Sequence, residues 1–255
     1  MRRLQWLLWN RSERRLRAPW RLLLGMTLFV LLSVVTLLGL QLLRQTAGIA
    51  LLAGVDPAIR PLALNAIGGV VVLLTLVMVA WSLDQRRLSD YGLRIDRAWW
   101  VDCGFGLALG AGAMTALVLA GIAGGWLAVD SAGLSADALS QLALLAGVFL
   151  LVGIYEELFV RGYLLTNIAE GLSWFDQLSA RVAAVLAALV SALVFGGLHA
   201  INPNATLLST VIISAAGVML ALGYLYTGEL AIPIGIHITW NAFQGLVYGL
   251  PVSGA

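Results

Sequence analysis

The chain has 255 residues, of which 61% are hydrophobic and 11% charged, with a mean hydropathy of +0.95 and a formal charge of +2. A soluble domain carries about 25% charged residues, so the composition excludes a water-soluble globular enzyme. It also excludes a nucleic-acid-binding module, which needs a soluble basic scaffold. What remains is an all-α, polytopic membrane helix bundle, and at about 20 residues per span the chain holds about seven to eight transmembrane helices.

Every basic residue is an arginine. Arg2, Arg3, Arg11, Arg14, Arg15, Arg17 and Arg21 precede or open the first apolar run, with Trp6, Trp9 and Trp20 among them. This pattern predicts an interfacial amphipathic segment facing anionic lipid on the cytoplasmic side. Span one, Leu22–Leu43, is too long for a secretory signal and shows no clear cleavage site, so it is expected to remain as a helix. The connector 44–61, with Gly54, Pro57 and Pro61, is expected to run partly along the interface. Span two is Leu62–Leu83. The connector 84–98 carries Arg86, Arg87, Arg94 and Arg97, which returns it to the cytoplasm under the positive-inside rule and places the N-terminus inside.

Span three, Val101–Val129, is rich in Gly and Ala, residues that let helix backbones approach closely. Asp130 and Asp137 mark an outside loop. Span four starts near Gln141. Span five is Ser179–His199, followed by a break at Pro203. Span six is Leu207–Tyr226 and span seven Leu230–Tyr248. Cys103, the single cysteine, reads as a packing residue. Two parts are expected: a basic N-terminus with two accessory spans over 1–83, and a catalytic membrane core over 84–255. The expected location is a bacterial cytoplasmic membrane.

Inside span four stand Glu156, Glu157 and Arg161. Ionised groups are costly in hydrocarbon and persist there when paired, solvated in a cavity, or used. Adjacent helical residues point about 100° apart, so the two carboxylates have different tasks. Glu157 and Arg161, in the favourable i, i+4 order, read as a structural pair, which leaves Glu156 free for chemistry. The only two histidines also fall in apolar spans, as Phe195…His199 and His237…Asn241, each pair on one helix face. Water activated by Glu156 and oriented by His199 can attack a carbonyl, with His237 and Asn241 as donors to the developing oxyanion. The same carboxylate and two imidazoles also form a zinc-type ligand set with water in the open position. The residues leave both ways of activating water open.

The depths agree on one condition. At 1.5 Å per residue Glu156 lies about 22 Å from Gln141, and it meets His199 and His237 only if span four continues well past Arg161 toward Glu170. The site is then expected below the midplane, open to the cytoplasmic side.

These residues resemble the CPBP family, the CAAX-protease and bacteriocin-processing (Abi) intramembrane endopeptidases. Its motifs Glu-Glu-x-x-x-Arg, Phe-x-x-x-His and His-x-x-x-Asn match Glu156-Glu157…Arg161, Phe195…His199 and His237…Asn241, in that order. The likeness extends to the 88–94 loop and covers about residues 84–255. It implies an intramembrane endopeptidase acting on a membrane-associated peptide or protein. In it the first Glu and the second-motif His activate water, and the third-motif His and Asn hold the oxyanion. Family members are usually described as metalloproteases, and a metal-independent, glutamate-dependent route has been argued for the prenyl-protein branch. Two other readings stand beside it: an ion-coupled transporter using the same charges as a relay, and a non-catalytic membrane scaffold or immunity protein.

Overall fold

The computed structural model describes residues 7–46, 60–130 and 136–252. The expectations for Arg2, Arg3 and Trp6, for Gly54 and Pro57 in the first connector, and for the chain after Val252 lie outside these residues. Among the described residues, six helices are long and apolar enough to cross a membrane. They are α1 (Ala18–Thr46); α2 (Arg60–Val79), with a π-helical end Ala80–Asp84; α3 (Arg97–Ala123); α4 (Ala136–Glu157), which runs through a π-helical stretch Leu158–Leu165 into α5 (Thr166–Leu172); α6 (Ala180–His199); and α7 (Leu207–Thr227). A shorter seventh, α8 (Ala231–Ala242), ends in a π-helical turn Phe243–Val247. The all-α membrane bundle read from composition is the fold.

Local chemistry sets the boundaries. Asp96 caps α3 by accepting from the Trp99 amide at 2.9 Å, and Thr206 and Ser209 form a capping box on α7, satisfying orphan amides of the first turn. Span three stops at Ala123, short of the expected Val129. The chain turns at Gly125 (φ +72°), and the amides of Trp126 and Leu127 fold back on the Gly121 carbonyl. Asp137, expected in a loop, belongs to helix α4.

In the described part of the N-terminal segment, residues 7 and 8 are helical and a hairpin follows. The hairpin pairs β1 (Trp9–Asn10) with β2 (Arg15–Leu16). Its turn is built by Asn10 Oδ1, which accepts from the Ser12 amide at 3.2 Å and the Ser12 hydroxyl at 2.7 Å. Such side-chain bonds favour turns over helix.

Helix α8 is the centre of the bundle. Its Ile234, Gly235, Ile236 and His237 are buried. A Cβ added to Gly106 of α3 would stand 3.0 Å from the Ile232 Cα, and one on Gly235 only 2.7 Å from the Leu107 amide. The small residues of span three therefore let α3 and α8 touch backbone to backbone.

At the arginine-rich end a second polar cluster ties α1 and α2 to α5. Arg21, 1% exposed, pairs with the fully buried Asp84 at 3.2 Å, and Arg21, Arg86 and Arg15 all reach Glu170. Asp84 also accepts from Tyr91 Oη at 2.6 Å and Asn167 Nδ2 at 2.7 Å. Burial, then the Asp84 carboxylate, hold the Tyr91 phenol well above its ordinary pKa, so it stays a donor. Arg15 and Arg21 are thus internal partners rather than lipid anchors. Tyr163 closes the join by donating to the Arg21 carbonyl at 2.9 Å.

Removing one partner of a buried ion pair leaves the other charge uncompensated. Arg21→Ala is expected to cost about 3–5 kcal/mol, read as a lowered thermal unfolding midpoint of the purified protein in detergent. An unchanged midpoint would show that the cluster does not hold α1.

Candidate active site

The condition set by the depth reckoning is met: the helix bearing Glu156 and Glu157 continues without a break through the π-helical stretch to Leu172. π-Helical insertions are frequent at functional sites. This one begins at the residue after Glu157 and contains Arg161.

Glu157 and Arg161 form the expected i, i+4 pair, with Arg161 Nη1 donating to Glu157 Oε1 at 2.7 Å and both side chains fully buried. The pair is not self-contained. The same Glu157 Oε1 lies 2.7 Å from His237 Nδ1. Arg161 Nη2 donates to the Gly217 carbonyl at 3.1 Å, and the guanidinium lies 4.4 Å from the Phe195 ring centre. Glu157 therefore fixes the His237 ring, as carboxylates commonly orient functional imidazoles.

Glu156 points differently, as the 100° rule requires. Its Oε2 is buried without a hydrogen-bond partner and lies 3.9 Å from His237 Nε2. That gap is too long for a direct bond and fits one water between the two. His199 Nδ1 lies 2.8 Å from the Phe195 carbonyl, so with Nδ1 as donor its Nε2 is left as an acceptor. The Phe195 ring packs between the two histidines, 4.6 Å from His199 and 6.0 Å from His237 between ring centres. Phe195, His199, His237 and Asn241 all line one cavity of about 470 Å³, whose remaining wall is largely aliphatic. Trp240 lines it too. Tyr155 and Tyr163 serve neither carboxylate: Tyr155 donates to Asn65 Oδ1 at 3.0 Å, and Tyr163 donates to the Arg21 carbonyl.

The cavity does not lie toward the arginine-rich end. His199 closes α6, about 28 Å from its start, and Glu157 stands about 22 Å from Leu172, in a bilayer core about 30 Å thick. The expectation of a site near the arginine side took α8 to begin at the membrane boundary. It begins recessed instead: Leu230 and Ala231 are fully buried, and Ile232 backs onto Gly106, about 13 Å along α3 at 1.5 Å per residue.

Donor chemistry would suit zinc, with one carboxylate and two imidazoles whose Nδ1 atoms are engaged by outer partners. The arrangement does not fit it: among the described residues no three His, Cys, Asp or Glu side chains are gathered as a metal cage.

The sequence reading did not find the Glu157–His237 bond or the Gly217 carbonyl under Arg161. Two acidic residues in a row against one arginine carried the signal for the first, since the pair alone leaves carboxylate capacity over. The second is a backbone group and had none.

Residues 138–243 match the family model described as Rce1-like, type II CAAX prenyl endopeptidase. This is the family to which the three motifs pointed, and the matched stretch contains all of them. No curated protein and no solved structure matches the chain.

Lysine keeps the charge at position 161 but cannot present a planar fork to both Glu157 and the Gly217 carbonyl. Arg161→Lys is expected to lose about 1–3 kcal/mol of stability, measured by thermal unfolding in detergent. A wild-type midpoint would remove the fork from the account of this site.

Proposed function

From the match of residues 138–243 to the Rce1-like model of type II CAAX prenyl endopeptidases, we propose that the protein is an intramembrane endopeptidase. Its substrate is a membrane-associated, apolar peptide, prenylated or bacteriocin-like. The observation that carries the reading is the unpartnered Glu156 Oε2 facing His237 Nε2 at 3.9 Å, next to a cavity large enough for several apolar side chains. An unsatisfied buried acceptor is expensive, and a water held there is set to be deprotonated.

In the proposed reaction Glu156 is the general base. His199, held through Nδ1 on the Phe195 carbonyl, orients the same water with its Nε2. Water oxygen attacks the peptide carbonyl carbon as its proton passes to Glu156. His237, protonated between Glu157 and Glu156, makes the set of two carboxylates and two cations neutral, so its charge is compensated in hydrocarbon. It and Asn241, one helical turn further on the same face, donate to the oxyanion. Collapse of the tetrahedral intermediate breaks the C–N bond, and Glu156 returns its proton to the leaving amine. Glu157, Arg161 and Phe195 position these groups. The transporter reading asks for a relay leading away from the charges, and the inward side of the cluster is instead closed by Arg161 on Gly217.

Glu156→Ala, His199→Ala and His237→Ala are each expected to lower kcat/KM for a membrane peptide by about 10²–10⁴-fold. Asn241→Ala is expected to lose about 10²–10³-fold, mainly in kcat. Purified variants with unchanged unfolding midpoints provide the measurement, and wild-type turnover by Glu156→Ala would sink the mechanism. Turnover is also expected to survive chelation and gel filtration. Loss on chelation with recovery on zinc addition would replace water activated by Glu156 alone with metal-activated water.

A further inference from the structure

The arginine-rich end of the bundle, where the N-terminal segment meets α5, α6 and α7, holds a second cavity, of about 440 Å³. Ligand sites range over about 300–1,000 Å³. None of Glu156, His199, His237 or Asn241 lines it. One side of the lining is polar, with Asn10, Glu13 and Arg17 of the N-terminal segment and Glu170 of α5. Another is apolar, with Leu165, Ala184 and Leu225. An adjoining recess of about 30 Å³ shares Arg17, Glu170 and Trp174 with this cavity and reaches Arg21.

The carboxylates of the polar side are already engaged. Glu13 accepts from Arg15 Nε at 2.8 Å, and Glu170 accepts from Arg15 Nη2 at 3.2 Å and from Arg21 and Arg86. Arg21 also pairs with Asp84. Arg15, Arg17, Arg21 and Arg86 thus stand around Glu13, Asp84 and Glu170, four cations to three anions. Two guanidinium N–H groups of this network, Arg21 Nε and Arg86 Nη1, are buried without a partner. Buried donors are normally satisfied, so the network is one anion short. The Arg17 guanidinium lies 4.1 Å from the Trp174 ring centre. Stacking on an aromatic face holds an arginine in place while its planar N–H edge stays available to two oxygens of one phosphate. Asn10 Oδ1 is taken up by the hairpin turn, so what Asn10 offers the cavity is its amide NH₂.

We propose that this cavity binds one anionic phospholipid. Its phosphodiester, a single negative charge, lies against Arg17 and Asn10, and the first carbons of an acyl chain lie along Leu165, Ala184 and Leu225. The hydroxyls of Thr166 and Tyr224, 3.1 Å apart, line the same cavity and suit the ester oxygens of the glycerol. The mixed lining selects a lipid over a free anion, because a soluble phosphate gains nothing from the apolar side. Val182, Val185 and Leu186, around Ala184 on α6, are exposed, as side chains facing acyl chains are, so the lipid tail arrives from the bilayer itself. A zwitterionic headgroup brings no net charge and leaves the extra arginine uncompensated. The bound lipid ties the N-terminal segment to α5, which is continuous with the helix bearing Glu156 and Glu157. The site stands whether or not the endopeptidase reading does.

The test titrates purified protein in mild detergent with phosphatidylglycerol and, separately, with phosphatidylcholine. Native mass spectrometry counts bound lipid, and the thermal unfolding midpoint gives a second readout. One phosphatidylglycerol is expected to be retained and to raise the midpoint, since a ligand of the folded state stabilises it, while phosphatidylcholine does neither. Arg17→Gln removes the charge-assisted bonds and is expected to weaken phosphatidylglycerol about 10-fold or more. Ala184→Phe fills the apolar side with no change of charge and is expected to abolish the rise in midpoint. Arg97→Gln, at an exposed position of the same end, is expected to bind as wild type. Each variant is first shown to be monodisperse with a lipid-free midpoint near wild type, and Arg17→Lys and Ala184→Leu replace any that is not. Wild-type binding by either cavity variant would overturn the proposal. So would equal weakening by Arg97→Gln, which would mark a general surface attraction. Inorganic phosphate or glycerol 3-phosphate raising the midpoint as far as the lipid does would overturn it too, by showing a site for a free anion.

Discussion

Glu157 carries two cationic partners on one oxygen. Its Oε1 meets Arg161 Nη1 and His237 Nδ1, each at 2.7 Å, in a setting closed to solvent. A buried ion pair rarely adds stability, because desolvating both charges offsets their attraction. Glu157 Oε2 and Arg161 Nε remain without partners, so this pair is not optimised for stability. What the geometry gives is position. Arg161 takes its second bond from α7 through the Gly217 carbonyl and its cation–π contact from Phe195 of α6. Arg161, in the π-helical stretch that follows α4, thereby joins that helix to α6 and α7, and through Glu157 the His237 ring of α8 is held in one orientation.

The long helix makes this possible. Glu156 and Glu157 are neighbours in sequence and about 100° apart around the axis, so one carboxylate faces the framework while the other faces His237 at 3.9 Å. The π-helical stretch from Leu158 to Leu165 is fully buried. Along it Gly162 packs on Tyr91, and a Cβ there would stand 3.1 Å from the Tyr91 carbonyl oxygen. The same helix then delivers Asn167 and Glu170 to Asp84 and the arginines. Displacement at one cluster would be transmitted to the other along this rod.

Hydropathy and arginine placement made the spans legible, and i, i+4 spacing made the motif pairs legible, because both are properties of single helices. Span ends at Ser179, Thr206 and Gly228 were readable from capping and turn residues. What escaped depends on how helices sit against one another. The recessed start of α8 follows from glycine contacts between Gly106 and Ile232, and depth counted along the chain cannot register it. The internal role of Arg15 and Arg21 follows from Glu170 and Asp84 arriving from distant spans. A run of arginines before an apolar helix has the same pattern whether it meets lipid phosphate or buried carboxylate. Glu157 was read as finished once paired with Arg161, though an ionised carboxylate has about four acceptor positions and one arginine does not fill them.

The two polar clusters also show how structural and reactive charge can be told apart in a membrane bundle. Around Asp84 both carboxylate oxygens are engaged, by Arg21 on one side and by Tyr91 and Asn167 on the other. Asp84 itself is fully buried and lines neither cavity. Around Glu156 the facing cation, His237 Nε2, stands farther off at 3.9 Å, Oε2 has no partner, and the facing imidazole borders an open cavity. Both groups carry the expense of burial. A carboxylate whose two oxygens are both engaged returns that expense as rigidity. One that leaves an acceptor behind an imidazole lining a cavity can return it only when a molecule arrives to bridge them, and water with a peptide carbonyl behind it is the occupant that the neighbouring donors at His237 and Asn241 suit.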